Sequence, residues 1–565
     1  MRSDLFEQIT TALAQFSSAT RLYELTVGDG RADLGSGGLL VEAFAADDAV
    51  QGVGWRDVIV VSTSAHIKLS PLLGQPASLA VSLADGTRTS FCGHVSEAAT
   101  LGSEGGLARY RLRLSPWLWR LSQTRNSRAW QDKSIMEIVD SIFEAHRPLA
   151  RWRWSGEVRS FMADALSRSY CCQYRESDLD FVQRLLTEEG LAWRFEQAKD
   201  EPQMVLFSDS SQRCAVPDDP SSAADGGIRF HAARASEQRD TVQALHSYRT
   251  LCASSTTLLS YDYMAKQAVG HTSPSLLPRG RKMPPLESYD VPGQYAFTSR
   301  AHAQRYADMQ MQGREARSQL WCGRSTLRTL RAGTRLAITG VPLRRLGGAP
   351  AFAVLRVLSV GVNNLPTAAQ QALDELFGPL PELLQEALRG EQREDFDLVI
   401  AQARATGYAN CFDAILADIT WRPEPRQERP TALGSQSAIV IGPDGRDSPN
   451  GADELYCDRL GRVRIRFHWQ KSGEAACWVR VAQRSAGRGM GSQFLPRIGQ
   501  EVMVQFLEND INQPIIVGAL YNGQGEGGIP PTPGGRTIAA KATGRFEPAH
   551  DHLRSGQANM AGGNS

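Results

Sequence analysis

The sequence has no excess of charge of either sign: its 565 residues include 62 Lys and Arg against 61 Asp and Glu. A nucleic-acid-binding protein usually carries a basic excess or a concentrated basic stripe, because contacts with phosphate supply most of its affinity. The basic cluster at residues 279–282 is short, which is typical of a solvated loop. We therefore predict no nucleic acid among the partners of this chain.

Long hydrophobic runs are also missing. The strongest, such as residues 58–61, fall far below the ~18 apolar residues that cross a bilayer. The N-terminal segment has no uninterrupted apolar core of the kind that a signal peptide needs. Its apolar residues instead predict a short amphipathic helix within residues 1–19. We expect a protein made in the cytoplasm without a signal peptide or a membrane anchor of its own.

Cysteine is present but without a pattern. Nine cysteines are scattered between Cys92 and Cys477, an odd number with no regular spacing. This argues against a disulfide framework and for folding in a reducing compartment. Cys171 and Cys172 are adjacent and lie between apolar tyrosines, so we predict that they pack in a core rather than react.

Motifs that carry catalysis are absent as well. The sequence contains no H-E-x-x-H, no G-x-S-x-G and no Gly-Lys dipeptide of a phosphate-binding loop. Residues 523–528 match G-x-G-x-x-G, but prolines follow where a dinucleotide site requires a helix. His550 and His552 flank Asp551, which is too few ligands for a metal site. We predict no catalytic, cofactor-binding or metal-binding residues, and no cofactor.

What the sequence does contain is mostly β-type patterning. Between residues 20 and 115, Tyr110, Leu112 and Leu114 alternate with arginines, which predicts a strand with one apolar and one charged face. Two helices follow. Asp132 or Ser134 can cap the start of the first helix. The second helix, residues 177–189, begins with a capping box of Ser177 and Asp180 and ends at Gly190.

The C-terminal half changes character twice. In residues 367–417 the apolar side chains recur at helical spacing, which predicts a helical insertion. The prolines of residues 421–429 then indicate a linker. Residues 435–521 contain five short strands with Gly, Asp and Asn turns, which suits a small closed barrel such as an OB-fold. Residues 522–565 are poor in large apolar side chains, so neighbouring chains must order them if they are ordered.

Two groups of segments resemble a known family. Residues 170–195 read YCCQYRESDLDFVQRLLTEEGLAWRF and are similar to the signature of VgrG, the valine-glycine repeat spike protein of type VI secretion systems. Residues 458–469, DRLGRVRIRFHW, together with 478–483, 494–502 and 514–518, resemble the barrel signature of the same family, which contractile-phage baseplate spikes share. The resemblance covers about residues 20–535.

The resemblance implies a mainly β fold with helical additions: two tube-like β-barrel hub domains, an OB-fold barrel and the start of a triple-stranded β-helix, assembled as a homotrimer. The corresponding boundaries are 1–19 for the N-terminal helix, 20–116 for the first part of the hub barrel, 117–227 for a second hub module with helices, 228–362 for the remaining hub strands, 363–434 for the helical insertion and linker, 435–521 for the OB-fold (baseplate-V-like) domain, and 522–565 for the beginning of the needle or a disordered tail.

The resemblance also implies a function. The trimer would be the spike of a type VI secretion system, capping the hexameric tube protein (Hcp), seated on baseplate components and puncturing target membranes to deliver effectors. A PAAR-type tip protein and effectors would bind through the needle, of which the sequence includes only the beginning. The protein would not be an enzyme, and the secretion system would export it to the extracellular space or a target cell.

Three alternatives remain. A baseplate hub-spike of a contractile phage or phage-tail-like bacteriocin has a similar fold, and neighbouring genes would distinguish it. A cell-wall hydrolase would need a catalytic constellation that the motifs do not provide. An OB-fold that binds single-stranded nucleic acid needs aromatic and basic groups on one face. The alternation of residues 463–469 instead places Trp469 on the opposite face of the strand from Arg464 and Arg466.

Overall fold

The computed structural model describes residues 21–28, 38–64, 67–104, 107–198, 201–231, 239–277, 284–341, 346–387, 396–424, 429–449, 454–471, 476–487 and 489–520. The predictions for the N-terminal helix (1–19) and for the tail (522–565), with its glycine motif and its two histidines, lie outside these residues. The chain divides into a large unit, residues 1–123, 140–165 and 182–427, and a small unit, residues 124–139, 166–181 and 428–565.

Strands are the commonest regular element of the large unit, in agreement with the mainly β prediction. In chain order they are β1 Tyr23–Val27, β2 Leu40–Ala49, β3 Trp55–Ser62, β4 Pro76–Ser82, β5 Arg88–Glu104, β6 Leu107–Ser115, β8 Trp152–Trp154, β10 Ala192–Ala198, β11 Glu201–Phe207, β12 Ile228–Arg229, β13 Val242–Arg249, β14 Ser255–Asp262, β15 Gln267–Pro274, β16 Glu287–Asp290, β17 Gln319–Ser325, β18 Arg335–Thr339, β19 Ala351–Val362 and β20 Tyr408–Leu416.

One twelve-stranded sheet holds the large unit together. Its order is β1-β4-β5-β6-β3-β2-β19-β20-β17-β13, with β18 on β19 and β12 on β18. Alternating side chains of β1 to β6 enclose one apolar core, which includes Tyr23, Phe44 and Leu112. A second core, around Trp321 and Phe352, lies between β12, β13 and β17 to β20. The apolar face of these strands follows from the period-two alternation of the sequence, and β2, β3 and β6 are buried on both faces.

Helices occur in both units. They are α1 Arg120–Gln123, α2 Ile135–Glu144, α3 Val158–Phe161, α4 Asp178–Glu188, α5 Pro220–Ala224, α6 Arg300–Arg317, α7 Thr367–Phe377, α8 Leu380–Ala387 and α9 Phe396–Thr406. The first two predicted helices are confirmed as α2 and α4. Of the two candidate caps of α2, Ser134 is the one used: its hydroxyl accepts from Glu137 N at 3.2 Å, and its own N–H donates to the Glu137 carboxylate at 2.9 Å.

The predicted helical insertion is correct only in part. Helices α7, α8 and α9 cover one face of the sheet, where Leu384 and Phe396 pack on residues of β2 and β19. Residues 408–416, which we expected to be helical, form β20 instead. This strand is inserted between β19 and β17, and the hydrogen bonds on both of its edges outweigh a weak local helical pattern.

The small unit contains the predicted five-stranded closed barrel. Its strands are β21 Gln436–Val440, β22 Val463–Phe467, β23 Cys477–Val481, β26 Glu501–Phe506 and β27 Pro514–Leu520. They close in the order β21-β22-β23-β27-β26, and β23 with β27 is the parallel pair. A ribbon of β7 Arg125–Trp130 and β9 Cys171–Ser177, and a hairpin of β24 Ala486–Gly487 and β25 Met490–Gly491, complete the unit.

Within the described ranges, none of the helices combines the length and the apolar character that spanning a bilayer would require.

Candidate functional site

The first half of the signature segment fixes the ribbon of the small unit. The Asp178 carboxylate is buried and accepts hydrogen bonds from Gln173 Nε2 at 2.7 Å, Asn126 Nδ2 at 2.9 Å and the Arg128 guanidinium at 2.6 Å. Arg128 also donates to Gln173 Oε1 at 3.0 Å. Hydrogen bonds in which the donor or the acceptor is charged are stronger than neutral hydrogen bonds. These polar residues therefore tie β7 to β9.

The capping box predicted at the start of α4 is present. Ser177 Oγ accepts from Asp180 N at 3.1 Å and donates to the Asp180 carboxylate at 2.6 Å. Asp178 and Asp180 both lie in the first turn of α4, where a negative charge interacts favourably with the positive end of the helix dipole.

Replacing the cap tests its role. We expect Ser177→Ala to lower the free energy of unfolding by about 1 kcal/mol, because an N-terminal N–H of α4 loses its acceptor. Ser177→Asp, which keeps an acceptor, should retain most of the stability. Urea denaturation of the full chain measures both. Equal losses for the two variants would show that the cap does not act through this hydrogen bond.

The second half of the signature anchors a helix and a linker of the large unit. The Glu189 side chain is fully buried, accepts from the Tyr306 hydroxyl at 3.0 Å, and lies 3.6 Å from Arg305 on α6. Gly190 has φ +69°, and a Cβ there would lie 2.7 Å from Met309 Sδ. Arg422 donates to Gly190 O at 3.0 Å, and burial lowers the pKa of Arg422 to about 10.

The charged face that the alternation predicts for β6 is present, but Arg109 and Arg113 are buried on it. Arg109 is fully buried and lies 2.8 Å from Glu42 on β2, and Arg113 forms two hydrogen bonds of 2.6 Å with Asp57 on β3. Burial raises the pKa of Glu42, and Arg109 opposes that rise. Arg109 also donates to Gly378 O at 3.0 Å, so the segment that follows α7 covers this face.

The adjacent cysteines are packed in a core, as predicted. Cys171 and Cys172 are buried, and Cys172 belongs to the apolar cluster of the small unit together with Cys477. Burial raises the pKa of Cys477 to about 12 and raises that of Tyr170 well above its ordinary value. Protonated, inaccessible thiols are poor nucleophiles.

A narrow cleft in the large unit brings together the charged residues Asp48, Arg56 and Arg331. The guanidinium carbons of Arg56 and Arg331 lie 4.2 and 4.0 Å from the ring centre of Phe91. Asp48 is paired with Arg56, and Arg331 donates to Ser90 O at 2.8 Å. The charged groups of the cleft therefore contact other groups of the protein. Over all the described residues, no cluster of His, Cys, Asp and Glu could hold a metal ion.

One end of the barrel exposes large apolar side chains. Leu460 is 63% exposed, Phe494 73% and Met490 71%, and Leu455 is also exposed. We call these four residues the apolar loop surface. Sequence patterns alone do not reveal this surface, although Leu460 and Phe494 lie inside the segments that carry the family resemblance.

Two family models match separate parts of the chain. Residues 56–364 match the family model "Phage tail baseplate hub (GPD)", and residues 453–521 match "Type VI secretion system/phage-baseplate injector OB domain". The chain is 31% identical to the type VI secretion system spike protein VgrG1b of Pseudomonas aeruginosa over 82% of this chain and 56% of the relative. It is 30% identical to VgrG1a of the same organism over 87% of this chain and 69% of the relative.

A solved structure shares the fold. The E. coli c3393 protein, described as a component of the type VI secretion system with structural similarity to the T4 bacteriophage tail proteins gp27 and gp5, superposes with a TM-score of 0.56 at 16% identity. The match covers 88% of this chain and 99% of that one. The chain spans little more than half the length of VgrG1b and 33% of a Vibrio cholerae relative named an actin cross-linking toxin.

Proposed function

Because the chain belongs to the VgrG family of type VI secretion system spike proteins, we propose that it forms the trimeric spike at the tip of such a system. In this role the spike caps a hexameric tube, rests on the baseplate and is driven through a target envelope when the sheath contracts. The observation that carries the proposal is the succession, in one chain, of a baseplate-hub match over residues 56–364 and an injector-barrel match over residues 453–521.

The proposed architecture follows the same succession. Residues 20–362 form the two hub barrels together with β20, 363–407 the helical insertion, 417–434 the linker, 435–521 the OB-fold, and 522–565 the beginning of the needle. Two of the apolar cores on the large sheet, one enclosed by β1 to β6 and one around Trp321 and Phe352, support two barrels, and the strand order of the small barrel with its one parallel pair is typical of an OB-fold. The N-terminal helix of residues 1–19 belongs to the same proposal.

We further propose that the role of these residues is mechanical and not enzymatic. The polar residues of the signature, Gln173, Asp178 and Glu189, are engaged in buried structural contacts. A general acid or base needs a group that reaches a substrate, and none of these three does. The proposed partners are therefore proteins: the tube protein (Hcp), baseplate components and, through the needle, a PAAR-type tip protein and effectors.

The mass of the purified full chain in solution tests the trimer. We expect light scattering on a sizing column to give three times the 61.9 kDa of one chain. A monomer at micromolar concentration would contradict the homotrimer. A monomer with an intact fold, shown by circular dichroism, would leave the family assignment in place and overturn only the assembly.

Deletion of the gene in its own host tests the secretion role. We expect the deletion to abolish export of the tube protein, and a plasmid copy of the wild-type gene to restore it. Unchanged export would contradict the proposal unless a second spike gene is present, so the deletion is made in a strain without one. Adjacent capsid and tail-fibre genes, in place of those for a sheath-disassembly ATPase and a membrane complex, would favour the phage hub-spike, which the hub match also fits.

A further inference from the structure

A groove in the small unit lies between two segments that are distant in the sequence. One wall consists of Tyr174 and Arg175 of β9, and the other consists of residues 430–436, which lead into β21. We call it the Tyr174 groove. Its volume of about 470 Å³ lies within the range of ~300–1,000 Å³ that is usual for ligand-binding pockets. The groove therefore has room for a ligand.

Side-chain hydrogen bonds join the two walls. Gln436 Nε2 donates to the Tyr174 hydroxyl at 2.9 Å, and Trp469 Nε1 donates to Gln436 Oε1 at 2.9 Å. The ring centres of Tyr174 and Trp469 lie 5.8 Å apart. Because Trp469 and Tyr174 both pack on the apolar core of the barrel, these contacts fix the shape of the groove before any ligand binds.

A bulge in the ribbon places Arg175 at the groove. The register of β9 on β7 shifts here, so that Tyr174 and Arg175 together oppose Ser127. Arg175 has φ +52°, a conformation that few residues other than glycine adopt. Its N–H donates to Ser127 Oγ at 3.2 Å, and its carbonyl oxygen accepts from Arg125 Nε at 2.7 Å. The Arg175 guanidinium carbon then lies 5.2 Å from the centre of the Tyr174 ring.

The groove carries positive charge that the protein does not balance. Arg125 and Arg175 are exposed, and in the part of the chain that the structure describes neither forms an ion pair. Arg128, the third arginine of the ribbon, is paired with Asp178 at 2.6 Å. On the opposite wall, Asp510 beside Thr431 is paired with Arg429 at 3.5 Å. Unpaired guanidinium groups favour carboxylates, which they can bind through two hydrogen bonds.

The opposite wall is apolar and has backbone groups to offer. The Leu433 side chain is 84% exposed, and the segment is held in place because Ala432 N donates to Asn509 O at 2.9 Å. Among the described residues, the backbone groups of Leu433 and Gly434 have no hydrogen-bond partner. Exposed backbone groups of this kind can pair with an extended peptide, while neighbouring side chains select its sequence.

We propose that the Tyr174 groove binds an extended acidic segment of a partner protein, with carboxylates on Arg125 and Arg175 and apolar side chains against Leu433. Successive side chains of an extended peptide point to opposite sides, so a segment of alternating acidic and apolar residues meets both walls. Single-stranded nucleic acid needs exposed rings on which its bases stack, whereas the Tyr174 ring already packs against Arg175 and Trp469. The inference goes beyond the spike role and requires neither the trimer nor the needle.

The experiment titrates the full chain into a fluorescein-labelled peptide of four Glu-Leu repeats and follows fluorescence anisotropy. We expect saturable binding that Arg175→Glu weakens at least about tenfold, because the reversed charge repels the carboxylates that Arg175 would bind. Leu433→Ser should weaken binding about fivefold, because the variant loses apolar contact area. A peptide of Lys-Leu repeats and a single-stranded oligothymidylate should not show saturable binding.

Arg484→Glu is the matched control. Arg484 is also exposed and forms no ion pair within the described ranges of the small unit, so the variant makes the same change of charge. It follows β23, whose Val479 pairs with Val463 at the start of β22. Gln436 at the groove lies towards the other end of β22, since Ala438 of β21 pairs with Phe467. The control variant should therefore bind the Glu-Leu peptide as the wild type does.

Several results would overturn the inference: no binding of the Glu-Leu peptide, equal weakening by Arg484→Glu, or tighter binding of the oligothymidylate, which would indicate a nucleic-acid site. Circular dichroism and thermal melting of each variant show whether it remains folded. A trimer that does not bind the peptide would contradict the groove and leave the spike role standing. A monomer that binds it would contradict the trimer and leave the groove standing.

Discussion

Replacing Glu42 with alanine is expected to lower the free energy of unfolding by about 3–5 kcal/mol, because the substitution leaves Arg109 buried without its carboxylate. Both side chains lie inside the protein, 2.8 Å apart. The carbonyl groups of Phe377 and Gly378 accept hydrogen bonds from Arg109 but do not neutralise its charge. Chemical denaturation of the full chain, followed by tryptophan fluorescence, measures the loss.

Two further variants separate the buried charge from simple truncation. Adding Arg109→Leu to Glu42→Ala should recover much of the stability, because an apolar pair can replace a buried ion pair at little cost. Glu24→Ala breaks the half-exposed pair of Glu24 with Arg88 in the same sheet and should cost about 1 kcal/mol or less. A loss for Glu42→Ala as small as that for Glu24→Ala would show that the Arg109 site is hydrated and not buried.

Replacing Phe44 with alanine is expected to cost about 3–5 kcal/mol, as is typical when a buried aromatic ring leaves a cavity. Phe44 is 1% exposed and meets Tyr23 edge to face, with ring centres 5.1 Å apart. Its ring covers Gly361, its partner on the neighbouring strand β19. A Cβ at Gly361 would lie 2.2 Å from Phe44 Cε1 and 2.7 Å from Tyr23 Cζ.

This contact makes the two positions dependent on each other. Gly361→Ala alone should destabilise the protein by about 1–3 kcal/mol, because the new methyl group overpacks the ring. In the Phe44→Ala background the methyl group enters the cavity instead, so the double variant should be more stable than the sum of the single losses by about 0.5–3 kcal/mol. Gly156→Ala, where nothing lies within 4 Å, is the control. If the loss of the double variant equals the sum of the two single losses, the contact between position 361 and the Phe44 ring is contradicted.

Local features of the sequence were enough to predict several elements. The predicted capping box at Ser177 involves residues three positions apart, Ser134 was one of two predicted candidates for the cap of α2, and Gly190 ends α4 with a positive φ. The alternation in β22 places Val463, Ile465 and Phe467 in the barrel core as expected. Helix α6, in contrast, was not predicted within residues 228–362, because its buried side is made of small residues and methionines, such as Ala303, Ala307 and Met311, that give no strong apolar stripe.

The sequence by itself determined the family, the mainly β character and the five-stranded barrel, since these depend on motifs and on periodicities within a few residues. Only the tertiary structure decided what covers each face. Arg109 is buried because α7 and the turn after it, some 260 residues later in the chain, lie over β6. Strand β20 exists because two distant strands hydrogen-bond to it. Such pairings join residues far apart in the chain, and no local pattern records them.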